Sequence, residues 1–432
     1  MHSRLHAAST ANTPKKGQWW LLGLVVILGL SFVWLTTVGG KGRPTGRYAG
    51  AHDFIYFYAG GGCYRDGINP YSYDLYTQWA TDHLANHPQV DPSTKGVGTG
   101  YAYPPTAALP FWAIAHLSFN PARLLWLGLN WASLAIVLGV MWWAMRGGAR
   151  SHPGSADVPQ DIGRWAWAGP IILAGFALMN PFTSHNMWMG QSSLIALAIL
   201  CGAWWAKEKD HWLLCAFLTA LATAKISMSV FFVLTLLVER RWRTFFATCA
   251  FCFVLAAIPL WHDGPLGVAQ TWLESMKRYR EARPSLPEST ENFGMRSLAA
   301  VWFGVRSAGW EVVGLLAFAL AAWGRRWFTS LEFFAATLAL AALFVKGNDY
   351  DLVLLIPVLA ACLIATSHSL GWTLLVVACF AAMAFPKRIY LEKLGSPGML
   401  RVREVVLLLV TAAIILRALV WKPPAHRTAA AR

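Results

Sequence analysis

Charge is what this chain has least of. Only 13% of its 432 residues are charged, and Asp and Glu number 21 against 36 Lys and Arg. A soluble protein of ordinary usage does not manage on so little charge, and 56% hydrophobic residues with 24 Trp, 23 Phe and 12 Tyr make this an integral membrane protein. The net charge of +15 is spread in short clusters between apolar runs rather than along one hydrophilic face, which argues against a nucleic-acid partner. Cysteine is sparse as well. Six of the seven (Cys201, Cys215, Cys249, Cys252, Cys362, Cys379) sit inside apolar runs and only Cys63 falls in a hydrophilic loop, so there is no disulfide framework and no metal spacing.

Long apolar runs, by contrast, are plentiful. Residues 1–17 form a basic, polar tail, and residues 18–40 carry no charge and are long enough to cross about 30 Å of hydrocarbon. This reads as a retained first helix with a cytoplasmic N-terminus. Further candidate spans lie near 105–119, 122–145, 165–181, 190–206, 211–238, 244–262, 308–323, 330–345, 350–366, 370–385 and 402–421. The expectation is an all-α, polytopic bundle of about twelve spans, a single membrane domain over 18–421 with a cytoplasmic tail at 422–432. The clusters "VERRWR", "GRRW" and "WKPPAHR" then lie inside, and the hydrophilic loops 41–104 and 262–307 outside. Residues 211–238 are ambiguous. Span length favours one tilted helix, whereas charge counting favours a hairpin, which would require 105–145 to cross only once.

Polar groups beside or within a membrane are costly, so those present are functional candidates. Asp53 opens "HDFIYFYAGGGCYRDGINPY", where Phe54, Phe57 and Tyr58 recur at helical spacing; the pattern predicts an interfacial helix, with Asp53 as either its N-cap or a catalytic acid. "GINPYSYDLYTQWATDHL" predicts a second amphipathic helix, and its tyrosines with Tyr101 of "GTGYAYPPTAALP" read as an interface belt or a platform for sugar rings. "MNPFTSHNMWMGQSS" collects neutral hydrogen-bonding groups, among them Asn186 and Gln191, suited to a hydroxyl-rich ligand or to a polar helix junction. Lys225 is the one cation in a long apolar stretch and calls for an anionic partner, such as a lipid phosphate, or for snorkelling. Arg296 precedes a helix at the end of the second outer loop. Asp349 and Asp351 of "KGNDYDLVLL" imitate the acid pair of soluble nucleotide-sugar enzymes, but they open an apolar helix rather than follow a strand, and Asp349 reads equally as a helix cap or as a site residue.

The pieces "DFIYFYAGG", "GINPYSYDLY", "YAYPPTAALP", "WMGQSSLIALAIL", "AKISMSVFFVLTLLVERRWR" and "NDYDLVLLIP" stand in one order over residues 50–360, and in that order the chain resembles glycosyltransferase family 87, membrane enzymes of the GT-C class. The resemblance implies transfer of a hexose or pentose, mannose first, from a polyprenyl-phosphate donor to a lipid or glycan acceptor. It implies an inverting displacement on the outer face of a bacterial-type plasma membrane, with no cofactor; a divalent metal is not indicated. Position by position it matches Asp53 to the acid of the first outer loop, Gln191 to the Gly-Gln pair and Lys225 to the lysine of the sixth apolar region; with the polar residues read above, the expected site is Asp53 as the base, Lys225 and Arg296 on the donor phosphate, and Tyr56, Tyr101, Asn186, Gln191, Asp349 and Asp351 around the substrates. Two features depart from the family pattern: Ile226 follows Lys225 where a proline is usual, and residues 346–349 read "KGND". A lipid-linked saccharide flippase or a non-catalytic membrane subunit are the competing classes. A flippase favours a continuous polar path through the span, while here the polar residues gather in the outer loops.

Overall fold

Backbone in an apolar solvent must satisfy its own hydrogen bonds, and this chain does so almost wholly with helices. The computed structural model describes residues 52–84, 100–148, 167–282, 292–306, 309–345, 347–385 and 397–420, with Gly23, Val25 and Ile27–Gly29 of the first apolar run. The tails 1–17 and 422–432, the rest of the first expected span and the loop 85–99 lie outside the described residues. The only described strands are Asn292–Phe293 and Gly347–Asn348, antiparallel, with Asn292 opposite Asn348.

Among the described residues, three stretches are long and apolar enough to cross a membrane: Phe119–Gly147, Trp212–Val238 and Asp349–Thr366. Two bent pairs raise the number to five: Pro181–Met189 with Ser193–Glu208, turned by 113°, and Trp242–Leu255 with Ala257–Tyr279, turned by 99°. Residues 105–119, expected as a span, are a 3-10 turn (Pro105–Ala107) and a seven-residue helix (Ala108–Ile114), too short to cross.

Trp212–Val238 is not one straight rod. Arg241 pairs with Asp210 at 3.0 Å although the two are 31 positions apart, and Lys207 Nζ pairs with Glu239 at 2.8 Å. A continuous helix would hold such residues roughly 45 Å apart. The segment therefore turns back at the 3-10 stretch Thr223–Lys225, where Lys225 leaves helical geometry (φ −126°, ψ 74°), and Trp212–Ala222 and Ile226–Val238 form the hairpin that charge counting favours. Lys225 stands at its apex.

The foot of this hairpin is fastened by charge. Glu239 accepts from Lys207 and, at 2.8 Å, from Arg325, while Ser330 donates to Glu208 at 2.5 Å and accepts from Trp204 at 3.0 Å. The helix Ser193–Glu208 runs from this cluster to the opposite end of the molecule, roughly 21 Å away at 1.5 Å per residue. Between them Ser330–Phe344, buried at every position but Glu332, packs into the apolar core.

The helix Phe54–Arg65 departs from the expected interfacial pattern. Phe54, Ile55 and every residue from Phe57 to Tyr64 are buried, so it is a core helix with no lipid-facing stripe. Gly60, Gly61 and Gly62 explain how it sinks so deep: Tyr101, the carbonyl of Phe111 and Trp79 press on the three positions in turn, where any Cβ would overlap them. Cys63 is correspondingly buried rather than exposed in a loop. Tyr71, Tyr76 and Tyr101, considered as a sugar platform, are closed inside the same aromatic cluster.

Candidate active site

The sequence "MGQSS" builds the centre. Asn180 caps the helix Pro181–Met189 by accepting from the N–H of Thr183 at 2.8 Å, with Pro181 at its first position. Gly190 ends that helix in the left-handed region (φ +69°), and its carbonyl accepts from the Trp126 indole at 2.7 Å. Ser193–Glu208 then departs at 113°. The break sends Gln191 toward one acidic residue and Ser193 toward another.

The first is Asp53. Its backbone N–H donates to the carbonyl of Met189 at 2.7 Å, which pins it to the break. Its carboxylate accepts from Gln191 Nε2 on Oδ2, and Oδ1 lies 3.0 Å from His52 Nδ1. It makes no side-chain cap to the following helix, so the capping explanation for an acid at this position is not realised. The second is Asp351. Its Oδ1 meets Ser193 Oγ at 2.7 Å and Lys225 Nζ at 2.8 Å, and its Oδ2 accepts from the N–H of Asn348 at 3.0 Å, closing a capping box over Asn348–Asp351. Lys225 also donates to Ser193 at 2.5 Å and lies 5.0 Å above the Tyr350 ring. The anion demanded by an intramembrane lysine is thus supplied by the protein itself.

Two tyrosines lie within electrostatic reach of both acids. Tyr103 feels the charges of Asp53 and Asp351, with Tyr56 and Tyr279 nearby; burial first, then the Asp53 carboxylate, hold its phenol well above its usual value. Tyr350 is in electrostatic reach of the same two acids, and His185 meets its ring edge at 6.0 Å. Two carboxylates, one neutralised by a lysine, with phenol groups in electrostatic reach of both are suited to gripping hydroxyl-rich molecules and to taking a proton from one of them.

The expected site residues do not all converge here. Asp53, Gln191, Lys225 and Asp351 do, joined through the break, and Tyr56 sits one turn beyond Asp53, partly exposed. Asp349 turns away to Arg403 at 3.1 Å while Asp351 pairs with Lys225, and no group of three or more His, Cys, Asp or Glu side chains among the described residues is arranged to hold a metal. Tyr101 is packed in the core. Asn186 is fully buried, and its carbonyl, rather than its amide, supports the break by accepting from Gln191 N–H at 3.0 Å. Arg296 is exposed three residues after the Asn292–Phe293 strand. Sequence reasoning missed His52, Ser193, Tyr103 and Tyr350, which lie within or beside the quoted motifs, and Tyr279, for which no local signal exists.

An all-α membrane protein with a polar, acid-centred site at one end of its helices is the class this fold defines. The profile of glycosyltransferase family 87 matches residues 101–357, more than half of the chain, and the chain belongs to that family: it is a membrane glycosyltransferase. The match contains Gln191, Lys225, Asp349 and Asp351, whereas Asp53 precedes it. No curated protein matches the chain.

Proposed function

We propose that the protein transfers a hexose or pentose, mannose first, from a polyprenyl-phosphate donor to a lipid or glycan acceptor at the outer face of a bacterial-type plasma membrane, by an inverting displacement with Asp53 as general base. The observation that carries this reading is a buried carboxylate that caps nothing and is instead held by Gln191 and His52, with Tyr103 in electrostatic reach.

In the reaction the acceptor hydroxyl gives its proton to Asp53 and its oxygen forms the new bond to the anomeric carbon. The bond from that carbon to the phosphate oxygen breaks, and its electron pair leaves on the phosphate. An ionised carboxylate has about four lone-pair sites, so the two partners of Asp53 leave room for the incoming proton. Ser193 and Asp351 take two of the three N–H donors of Lys225, and the third is available to the phosphate. Arg296, exposed close to the strand pair that precedes Tyr350, supplies a second cation.

The orientation is supported by "VERRWR" and "GRRW", which lie at the Glu239 end, opposite Asp53. The enzyme reading is favoured over a flippase because Leu194, Leu197, Cys201 and other buried apolar residues line Ser193–Glu208 between its two charged ends. The test is transfer of radiolabelled sugar from synthetic polyprenyl-phosphate mannose, other hexoses and pentoses to extracted membrane lipids by the purified protein. Absence of transfer from every such donor overturns the proposal.

A further inference from the structure

We propose that His52 is a positioning residue for Asp53: it holds the carboxylate and, through its own protonation, sets the acid limb of the transfer reaction. This rests on the reading of Asp53 as the base. The side chain of Asp53 has two hydrogen-bonded partners among the described residues, and they differ in kind. Gln191 has an amide, which donates but does not exchange charge near neutral pH. His52 has an imidazole, the one group in direct contact with the carboxylate that changes charge between about pH 5 and 8. The imidazole is also on the solvent side, with 26% of its side chain exposed against 10% for Asp53.

Both residues are tied to the helix Pro181–Met189. Asp53 N–H is bonded to the Met189 carbonyl, and the His52 ring lies against Trp188 with centroids 5.7 Å apart. The other ionisable groups around the pair are His185, whose ring is 6.1 Å from that of Trp188; Tyr103 and Tyr350 in electrostatic reach of Asp53; and Asp351, which is neutralised by Lys225.

The sign follows from charge. Neutral His52 donates its Nδ1–H to Oδ1 and leaves the carboxylate fully basic. Protonated His52 places a cation 3.0 Å from that oxygen, an ion pair that competes for the lone pairs meant for the acceptor's proton. Transfer then slows as pH falls through the imidazole range, well above the point at which an isolated carboxylate would lose its function. The bonds made and broken are those of the proposed displacement; His52 changes only the readiness of Asp53 to accept the acceptor's proton.

The experiment is kcat/KM against pH, from about 4 to 9, for transfer from synthetic polyprenyl-phosphate mannose by the full chain in nanodiscs. Wild type is compared with His52→Gln, His185→Gln and Asp53→Asn, and His52→Asn replaces His52→Gln if the latter does not fold. The expected result is a wild-type acid limb in the imidazole range, at about pH 6 to 7, that moves down by at least about one pH unit in His52→Gln, with KM little changed and turnover at high pH within about tenfold of wild type. A limb that stays in place in His52→Gln, or that moves only in His185→Gln, overturns the inference while the proposed function stands. Asp53→Asn as active as wild type, or a wild type that transfers no polyprenyl-phosphate sugar, overturns the proposed function and the His52 inference with it.

Discussion

Gln191 donates its amide N–H to the carboxylate of Asp53, 138 positions earlier in the chain, and both side chains are buried. Two residues on from Gln191, Ser193 bonds Asp351, 158 positions later. A single helix break therefore sets the separation of the two acids, and changes at the break should alter chemistry before they alter folding. Gln191→Met removes the donor while keeping length and apolar bulk. We expect kcat to fall by at least about tenfold with expression and melting temperature close to wild type. Unaltered kcat would show that Asp53 needs no support on that side.

Asp53→Asn separates chemistry from stability. The native carboxylate makes no cap, so the amide should cost little stability, while loss of the base should reduce transfer by roughly 10²- to 10⁴-fold. Turnover above about a tenth of wild type, with chemistry rate-limiting, removes Asp53 from the role of base.

Lys225 and Asp351 form a buried pair, and removing one partner strands the other. Lys225→Met should destabilise the protein by about 3 to 5 kcal/mol, and the double variant Lys225→Met, Asp351→Asn should recover most of that loss. If Lys225 also holds the donor phosphate, the double variant regains stability without regaining donor affinity. Recovery of both in a donor titration would reduce the lysine to charge compensation for Asp351.

Glu239 predicts a pH dependence of stability at the far end of the molecule. Burial raises its pKa, but the Lys207 and Arg325 charges and hydrogen bonds outweigh this and hold it at about 2, against 4.5 for the free side chain. Because the folded value is the lower one, the stabilisation is complete above about pH 4.5 and fades as pH falls toward 2. Thermal unfolding in detergent should show that loss in wild type, and Glu239→Gln should be less stable at neutral pH and flatter below pH 4.5. Equal acid sensitivity in the two proteins would assign it to other groups.

Gly61→Ala tests the seating of the helix that carries Asp53. The new Cβ would overlap the Phe111 carbonyl, a backbone atom that cannot rotate aside, so a loss of about 1 to 3 kcal/mol or more is expected, with transfer lost as Asp53 shifts. A variant with wild-type melting temperature and activity would mean that the two helices can part at no cost.

Apolar run lengths and charge clusters in the sequence determined an all-α membrane protein, because helical backbone is the economical way to bury so much apolar chain, and the basic clusters were enough to favour the hairpin at 211–238. The isolated polar residues Asp53, Gln191, Lys225 and Asp351 were legible for a similar reason: each is expensive where it stands. The partner each would choose was not legible. Asp349 and Asp351 look equivalent in the sequence, yet the 3-10 turn sends one to Arg403 and the other to Lys225. Tyr56, Tyr101 and Tyr103 look alike too, but the glycine run lets Tyr101 close over Gly60 in the core while Tyr103 comes within reach of the acids. Side-chain direction depends on helix breaks and on contacts between segments more than a hundred residues apart, and those distances exist only once the helices have packed.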